Sequence, residues 1–278
     1  MSNSPLQKQL ANLRNKLKLV VKQHANHTTF INIKGHNISS KMSDDNFTVM
    51  AGPCAIESHE QILTIAKFLS SKNIHVLRGG AFKPRTSPYS FQGLGIKGLE
   101  YMQDAASKYG MITISEVMDS MDVEVVSNYV DILQIGARNM QNYSLLKTIG
   151  RTNKPVLLKR HFAATYEEFL LAAEYIMSNG NPNVILCERG IRTFEGFTRN
   201  TLDLVAVPVL QQITHLPIIT DPSHGTGIKE IIPAVTKASK AIGANGVILE
   251  VHFDPDTALS DKEQALNFNE FSQILDVI

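Results

Sequence analysis

Eight short apolar runs recur along the chain, each followed by a polar loop and most of them by a stretch whose apolar positions have helical spacing. The runs are FTVMAGP (47–53), HVLRGGAF (75–82), MITISEV (111–117) and DILQIGA (131–137), then PVLLKR (155–160), VILCERG (184–190), PIITDPS (217–223) and GVILEVHF (246–253). Nearly continuous apolar character is what parallel strands need when both of their faces are covered. Helix ends are legible as well. Ser58 with Gln61, and Thr165 with Glu168, have the spacing of capping boxes, and Gly110, Gly180 and Gly243 stand where helices stop. Eight strand–helix repeats predict closure into a single α/β domain, a (β/α)8 TIM barrel over residues 46–278.

Residues 1–45 break this rhythm and form an N-terminal extension. Leu6, Leu10, Leu13, Leu17 and Val20 follow a 4-3-4-3 spacing, which predicts one apolar stripe on an amphipathic helix. Lys8, Arg14, Lys16, Lys18 and Lys22 make the segment basic, with no acidic residue before Asp44. The preferred expectation is a helix packed on the barrel or a neighbouring subunit with a solvated basic face; docking to an acidic partner is the alternative. TTFINIKGHNIS (28–39) then predicts a β-hairpin turning around Lys34-Gly35-His36-Asn37 and plugging the barrel bottom.

Composition narrows the function classes. At 278 residues, with 43% hydrophobic residues, the chain can bury one large core. A net charge of +1 offers no global field for nucleic acid or membrane. No apolar stretch is long enough to span a bilayer or serve as a signal peptide, so a cytoplasmic protein is expected. The two cysteines, Cys54 and Cys187, imply no disulfide framework, and strands one and six of a barrel are not neighbours that could be bridged.

Barrels of this kind place their chemistry at the C-terminal ends of the strands. Cys54 follows the first run, His224 the seventh, Glu250 closes the eighth and Asp261 lies in the next loop. A thiolate, an imidazole and two carboxylates at one rim suit a divalent transition metal. His75 and His215 precede their strands and belong to the opposite face, while His24, His27 and His36 lie in the extension. His252 shares a parity with Glu250 and is expected to point the same way, in the core, behind the ligands or as a ligand itself. Cations also recur at the same ends: Arg78, Lys83 and Arg85, then Arg138, Lys159, Arg160, Arg189 and Arg192. An uncompensated cluster of this kind repels itself unless anions bind, and two phosphate groups would account for it. Lys83-Pro84-Arg85-Thr86-Ser87-Pro88 reads as a preorganised phosphate grip.

The ordered set GPCAIES (52–58), RGGAFKPRTSPYSFQG (78–93), QIGARNMQN (134–142), LLKR (157–160), ILCERGIRTFE (185–195), DPSHGTG (221–227) and EVHFDPDTALSD (250–261) resembles 3-deoxy-D-arabino-heptulosonate 7-phosphate (DAHP) synthases of the short type I-beta branch. That resemblance implies condensation of phosphoenolpyruvate with erythrose 4-phosphate and water, releasing phosphate, as the entry to the shikimate pathway of aromatic amino acid biosynthesis. It further implies Cys54, His224, Glu250 and Asp261 as ligands of Mn, Fe, Co or Zn, and Arg138, Lys159 and Arg189 as the phosphoenolpyruvate grip, with Arg78 nearby. Lys83 is implied at the reacting end as a proton-transfer candidate, and Arg85, Thr86 and Ser87 at the sugar phosphate. His161, Phe253 and Lys262 stand where the family has Gly, Pro and Gly, which bears on loop shape. Relatives imply a homodimer or homotetramer, and an extension too short for a fused regulatory domain implies little feedback inhibition by aromatic amino acids. The alternatives are the sister 3-deoxy-D-manno-octulosonate 8-phosphate synthase, which carries a KANRSS-like loop where this chain has KPRTS, and a non-catalytic regulatory barrel.

Overall fold

The computed structural model describes residues 5–41 (backbone alone for 5–10), 47–85 and 87–278. All eight apolar runs form strands: β3 (Thr48–Gly52), β4 (Val76–Arg78), β5 (Ile112–Glu116), β6 (Ile132–Ile135), β7 (Val156–Lys159), β8 (Val184–Glu188), β9 (Ile218–Thr220) and β10 (Gly246–Glu250). They pair in parallel and in chain order, and β10 returns to β3 to close the barrel. The outer layer comprises α2 (His59–Ser71), α3 (Ile96–Tyr109), α4 (Val123–Tyr129), α5 (Tyr143–Gly150), α6 (Tyr166–Ser178) and α7 (Ala206–Ile213), then α9 (Ile232–Ala241) and α10 (Phe268–Leu275), while the short α8 (Pro222–Thr226) sits at the end of β9. Among the described residues no helix is long and apolar enough to cross a membrane.

Side-chain alternation along each strand sorts the core into two parts. Outward residues such as Leu77, Leu133, Leu158, Leu186 and Leu249 pack under the helices. Inward residues Met50, Val76, Ile112, Ile132, Leu157, Ile185, Ile219 and Ile248 fill the lower half of the barrel. Continuing the same parity upward places Arg78, Glu116, Gln134, Lys159, Arg189, Asp221 and Glu250 inside the upper half. A polar layer therefore rests on an apolar one.

The predicted hairpin forms from β1 (Phe30–Ile33) and β2 (His36–Ser39), in register Ile33↔His36. Lys34 and Gly35 both have positive φ, 50° and 85°, as the tight two-residue turn that suits strand twist requires. Ile31, Ile33 and Ile38 join the inward cluster of the barrel and make its floor. Lys34 Nζ donates to Asp131 Oδ2 at 2.7 Å and to Met111 O at 3.3 Å, just ahead of β6 and β5. His36 stacks on His75 with centroids 4.0 Å apart, and Thr29 Oγ1 lies 2.5 Å from His215 Nδ1. His75 and His215 thus lie at the floor, opposite the C-terminal ends of the strands.

Two expectations are corrected. The helical stripe through Val20 is too long: α1 spans Pro5–Lys16, and beyond it the backbone N–H groups of Lys18, Leu19 and Val20 donate to the Glu174 carboxylate at 2.9–3.1 Å. Leu17 and Val20 are still buried in the main core and Leu13 packs against it, so this end of the apolar stripe docks on the barrel although the chain has left the helix. Only half of the first capping box exists. Ser58 Oγ accepts from Gln61 N, but Gln61 Oε1 accepts from Glu57 N, and its amide donates to Ala55 O. The Thr165–Glu168 box is complete.

Candidate active site at the barrel mouth

A cavity of about 430 Å³ opens at the C-terminal ends of the strands. Arg78, Lys83, Arg85, Ser87, Arg138, Lys159, Arg189, His224 and Asp261 line it, as the rim reading predicts. Thr86 lies outside the described residues. Depth divides the cations. Arg78, Lys83, Lys159 and Arg189 are buried, whereas Arg138 and Arg192 are exposed and Arg85 is half-buried.

Cys54 Sγ and carboxylate oxygens of Glu250 and Asp261 lie within 4.8 Å of one another. Parity puts Cys54 on the inner side just above β3, and Glu250 ends β10. Asp261 is held in the left-handed region at φ 49°, a conformation Asp tolerates better than most residues and one that collects at functional positions. Cys54 Sγ donates to Asp261 Oδ2 at 3.1 Å and accepts from Lys83 Nζ at 2.9 Å. Burial, reinforced by the Glu250 charge, pushes the Cys54 thiol up to about 12. His224 stands beside the trio: Nε2 is 3.3 Å from Glu250 Oε1, and Nδ1 is 2.8 Å from Asp221 Oδ2, close but outside hydrogen-bonding geometry. Burial lowers the His224 pKa. Against the opposing push of burial, His224 and Arg78 hold Glu250 below its ordinary value, and His224 and Arg199 do the same for Asp261. A soft sulfur, an imidazole and two ionised carboxylates converging in a buried corner fit a divalent transition cation.

The cation cluster is not uncompensated, contrary to the sequence expectation. Arg78 Nη1 donates to Glu250 Oε1 at 3.0 Å and to Pro53 O at 2.8 Å. Lys159 Nζ donates to Asp221 Oδ2 at 2.6 Å, and His224 with Lys159 holds Asp221 well below the usual carboxylate range despite its burial. Arg160 is a second correction. Parity turns it outward, where it pairs with Glu188 and Asp203 at 2.8 and 2.9 Å and takes no part in the cavity wall. His252 is buried just past the end of β10, as its core reading has it, with Nε2 3.8 Å from Glu57 Oε2.

Sequence reasoning missed Glu116, Gln134 and Arg199, all on the cavity wall. Glu116 and Gln134 had a signal, since each continues the inward parity of its strand, Ile112-Ile114-Glu116 and Ile132-Gln134. Burial raises the Glu116 pKa although Lys83, Lys159 and other cations pull it down. Arg199 sits in an irregular loop with no periodicity to place it; Nη1 reaches Gln264 Oε1 at 2.8 Å and Asp261 Oδ1 at 3.5 Å.

A family model described as the DAHP synthetase I family matches residues 8–278. The chain belongs to this family. It is 54% identical over 235 residues to a phospho-2-dehydro-3-deoxyheptonate aldolase of Thermotoga maritima, covering 84% of this chain and 70% of that protein. A crystal structure of the DAHP synthase from the same organism superposes with a TM-score of 0.89 at 51% identity, over 94% of this chain and 75% of that one. A truncated form of 3-deoxy-D-arabino-heptulosonate 7-phosphate synthase from T. maritima gives a TM-score of 0.85 at 47% identity, covering 93% of each chain. Identity falls to 30% with a 2-dehydro-3-deoxyphosphooctonate aldolase of Syntrophobacter fumaroxidans, over 86% of this chain and 88% of that protein. Within the family, this barrel is therefore much nearer to the heptonate enzyme than to the octonate one.

Proposed function

We propose that the chain is a DAHP synthase. It condenses phosphoenolpyruvate with D-erythrose 4-phosphate and water to give DAHP and inorganic phosphate, the first step of the shikimate pathway. The observation that carries this reading is one cavity in which buried Arg78, Lys83, Lys159 and Arg189 adjoin the Cys54–Glu250–Asp261 corner. In the reaction, C3 of phosphoenolpyruvate forms a bond to the aldehyde carbon, water adds at C2, and the resulting hemiketal phosphate releases phosphate.

The deep cations hold phosphoenolpyruvate, with Lys159 and Arg189 as the main grip and Arg138 closing over it from the mouth. Arg85 and Ser87, which line the cavity, take the sugar phosphate together with Thr86 between them in sequence. Fixing two anions at one place against their repulsion is where this set lowers the barrier most. Lys83 touches Cys54 and shares the cavity wall with the half-buried Glu116, so it stands where a proton could pass to or from the reacting end. Cys54, His224, Glu250 and Asp261 would hold a divalent ion, Mn, Fe, Co or Zn, which when bound supplies Lewis acidity toward the aldehyde oxygen. Residues 46–278 carry this chemistry, and the hairpin of the N-terminal extension supplies the floor. A cytoplasmic homodimer or homotetramer belongs to the same reading and rests on family resemblance alone.

Phosphate release from phosphoenolpyruvate is to be measured with erythrose 4-phosphate and with arabinose 5-phosphate, after chelation and after re-adding single metals. The expected result is metal-restored activity that strongly favours the four-carbon sugar. Preference for arabinose 5-phosphate reassigns the chain to the octonate reaction, and inactivity with both acceptors under every metal removes the proposal.

A further inference from the structure

A second polar cluster occupies the rim on the outward side, and the chemistry above does not use it. Along β7 and β8, parity sends Lys159 and Arg189 into the cavity and Arg160 and Glu188 toward the helix layer. Lys159 is in register with Cys187, and Arg160 N donates to Cys187 O at 2.9 Å, so Arg160 and Glu188 lie side by side. One guanidinium then gathers both rim loops. Nη1 donates to Glu188 Oε2 at 2.8 Å and to Asp203 Oδ2 at 2.9 Å, while Nε and Nη2 donate to Ala164 O at 2.9 and 2.8 Å. The Tyr166 ring lies 4.6 Å from the guanidinium carbon, and its hydroxyl donates to the same Asp203 oxygen at 2.8 Å. Glu188 Oε1 accepts from Gly190 N at 2.6 Å.

The loop between Gly190 and Asp203 is thereby pinned at both ends by one buried cluster. It has little regular structure of its own, with the bridge Ile191↔Thr201 as its paired residues. Arg189 stands at its start, and Arg192, Arg199 and Asn200 lie on the cavity wall within it. The neighbouring loop joins in: Arg192 N donates to Phe162 O at 2.7 Å, and the Arg192 guanidinium sits 4.4 Å over the Phe162 ring. A buried cation held by two carboxylates tolerates one arrangement, because any displacement leaves a desolvated charge unmatched. Rigid support of this kind is what a phosphate-binding loop needs if its cations are to be in place before the ligand arrives.

We propose that Arg160 is a positioning residue: through Glu188 and Asp203 it fixes the 189–203 loop so that Arg189 and Arg192 face the phosphate-bearing substrate. This rests on the reading of the cavity as a phosphoenolpyruvate site. Arg160 touches no substrate itself and acts through the loop.

The test uses the metal-loaded full chain. Asp203→Asn and Tyr166→Phe each weaken the tie to the loop while leaving the Arg160–Glu188 pair, and neither residue lines the cavity. The expected outcome is a rise of about tenfold in both the KM and the calorimetric Kd for phosphoenolpyruvate, with kcat within about twofold and the melting temperature little changed. Arg160→Lys keeps the charge but loses the fork, and is expected to raise the same two constants further. A lower melting temperature with KM and Kd unchanged makes the cluster purely structural and overturns the proposal, as does a loss confined to kcat. An inactive wild type that nonetheless binds phosphoenolpyruvate sinks the enzymatic reading instead, and the Kd series still decides the positioning role.

Discussion

Cys54 and Cys187 are both buried and free, yet their neighbours differ. Cys54 exchanges hydrogen bonds with Asp261 and Lys83, whereas Cys187 belongs to the inward apolar layer with Leu157, Ile185 and Ile219. Cys54→Ala is therefore expected to abolish stoichiometric metal binding and at least most activity, with elemental analysis as the check. Cys187→Ala should keep its metal and cost about 1–2 kcal/mol of stability, read from denaturant unfolding. Equal metal loss in both variants contradicts the assignment. A second prediction concerns Gly136, where an added Cβ would stand 2.0 Å from Glu116 Oε1 and displace that carboxylate. Gly136→Ala should lower activity about tenfold or more while leaving the fold intact by circular dichroism, because a flexible side-chain end yields more easily than backbone. Parity explains what was legible here. Lys159 and Arg160 are adjacent in sequence and equally basic, but opposite faces of β7 give one to the cavity and the other to a buried salt-bridge cluster. Counting charges at strand ends could not separate them, whereas tracking the alternation of β7 does.

At the scale of elements, the hairpin shows how local turn chemistry and tertiary burial agree. The Lys34–Gly35 turn and the alternation of Ile31, Ile33 and Ile38 were both readable, because a positive-φ glycine and a period of two are local properties. Their use as a barrel floor follows from a narrow opening that needs apolar filling. Ile38→Ala should destabilise the protein by about 2–5 kcal/mol in urea unfolding, while phosphoenolpyruvate affinity stays near its original value. A cost below about 1 kcal/mol would show that the hairpin does not seal the apolar layer. The α1 boundary was not legible, since the stripe through Leu17 and Val20 persists although the chain leaves the helix. Glu174, more than 150 residues away, takes the backbone donors that a helix would otherwise satisfy, and no local window contains it.

For the whole molecule, the closed eight-strand order was foreseeable from the repeat of apolar runs, whereas the pairing of deep cations with Glu250 and Asp221 depended on which strand ends face each other across the barrel. The floor also carries a pH consequence. His27 stacks on His215 at 3.8 Å and on His24 at 5.4 Å, and burial of His215 lowers its pKa from 6.5, as burial does for His27. His215 Nε2 donates to Leu19 O at 2.8 Å, which ties the extension to the barrel and only partly offsets the effect of burial on the ring. A histidine whose folded pKa is depressed binds fewer protons folded than unfolded. Its contribution is therefore present above the unfolded value of 6.5 and is lost as pH falls through the folded one. The melting temperature should drop between about pH 7.5 and about pH 5.5, and His215→Gln should flatten that slope. An unchanged slope in the variant would place the acid sensitivity elsewhere.

Among the described residues three isoleucines of the hairpin stop the lower end of the barrel, so what enters at the strands' C-terminal ends must back out the same way. The buried Lys159 and Arg189 lie behind the partly open Arg85 and Ser87, so a molecule seated on the former is walled in once a second settles on the latter. On the proposed assignment turnover becomes a queue: the three-carbon acid should go in first and the sugar second, and in initial-rate measurements excess sugar added before the acid should slow the enzyme rather than speed it.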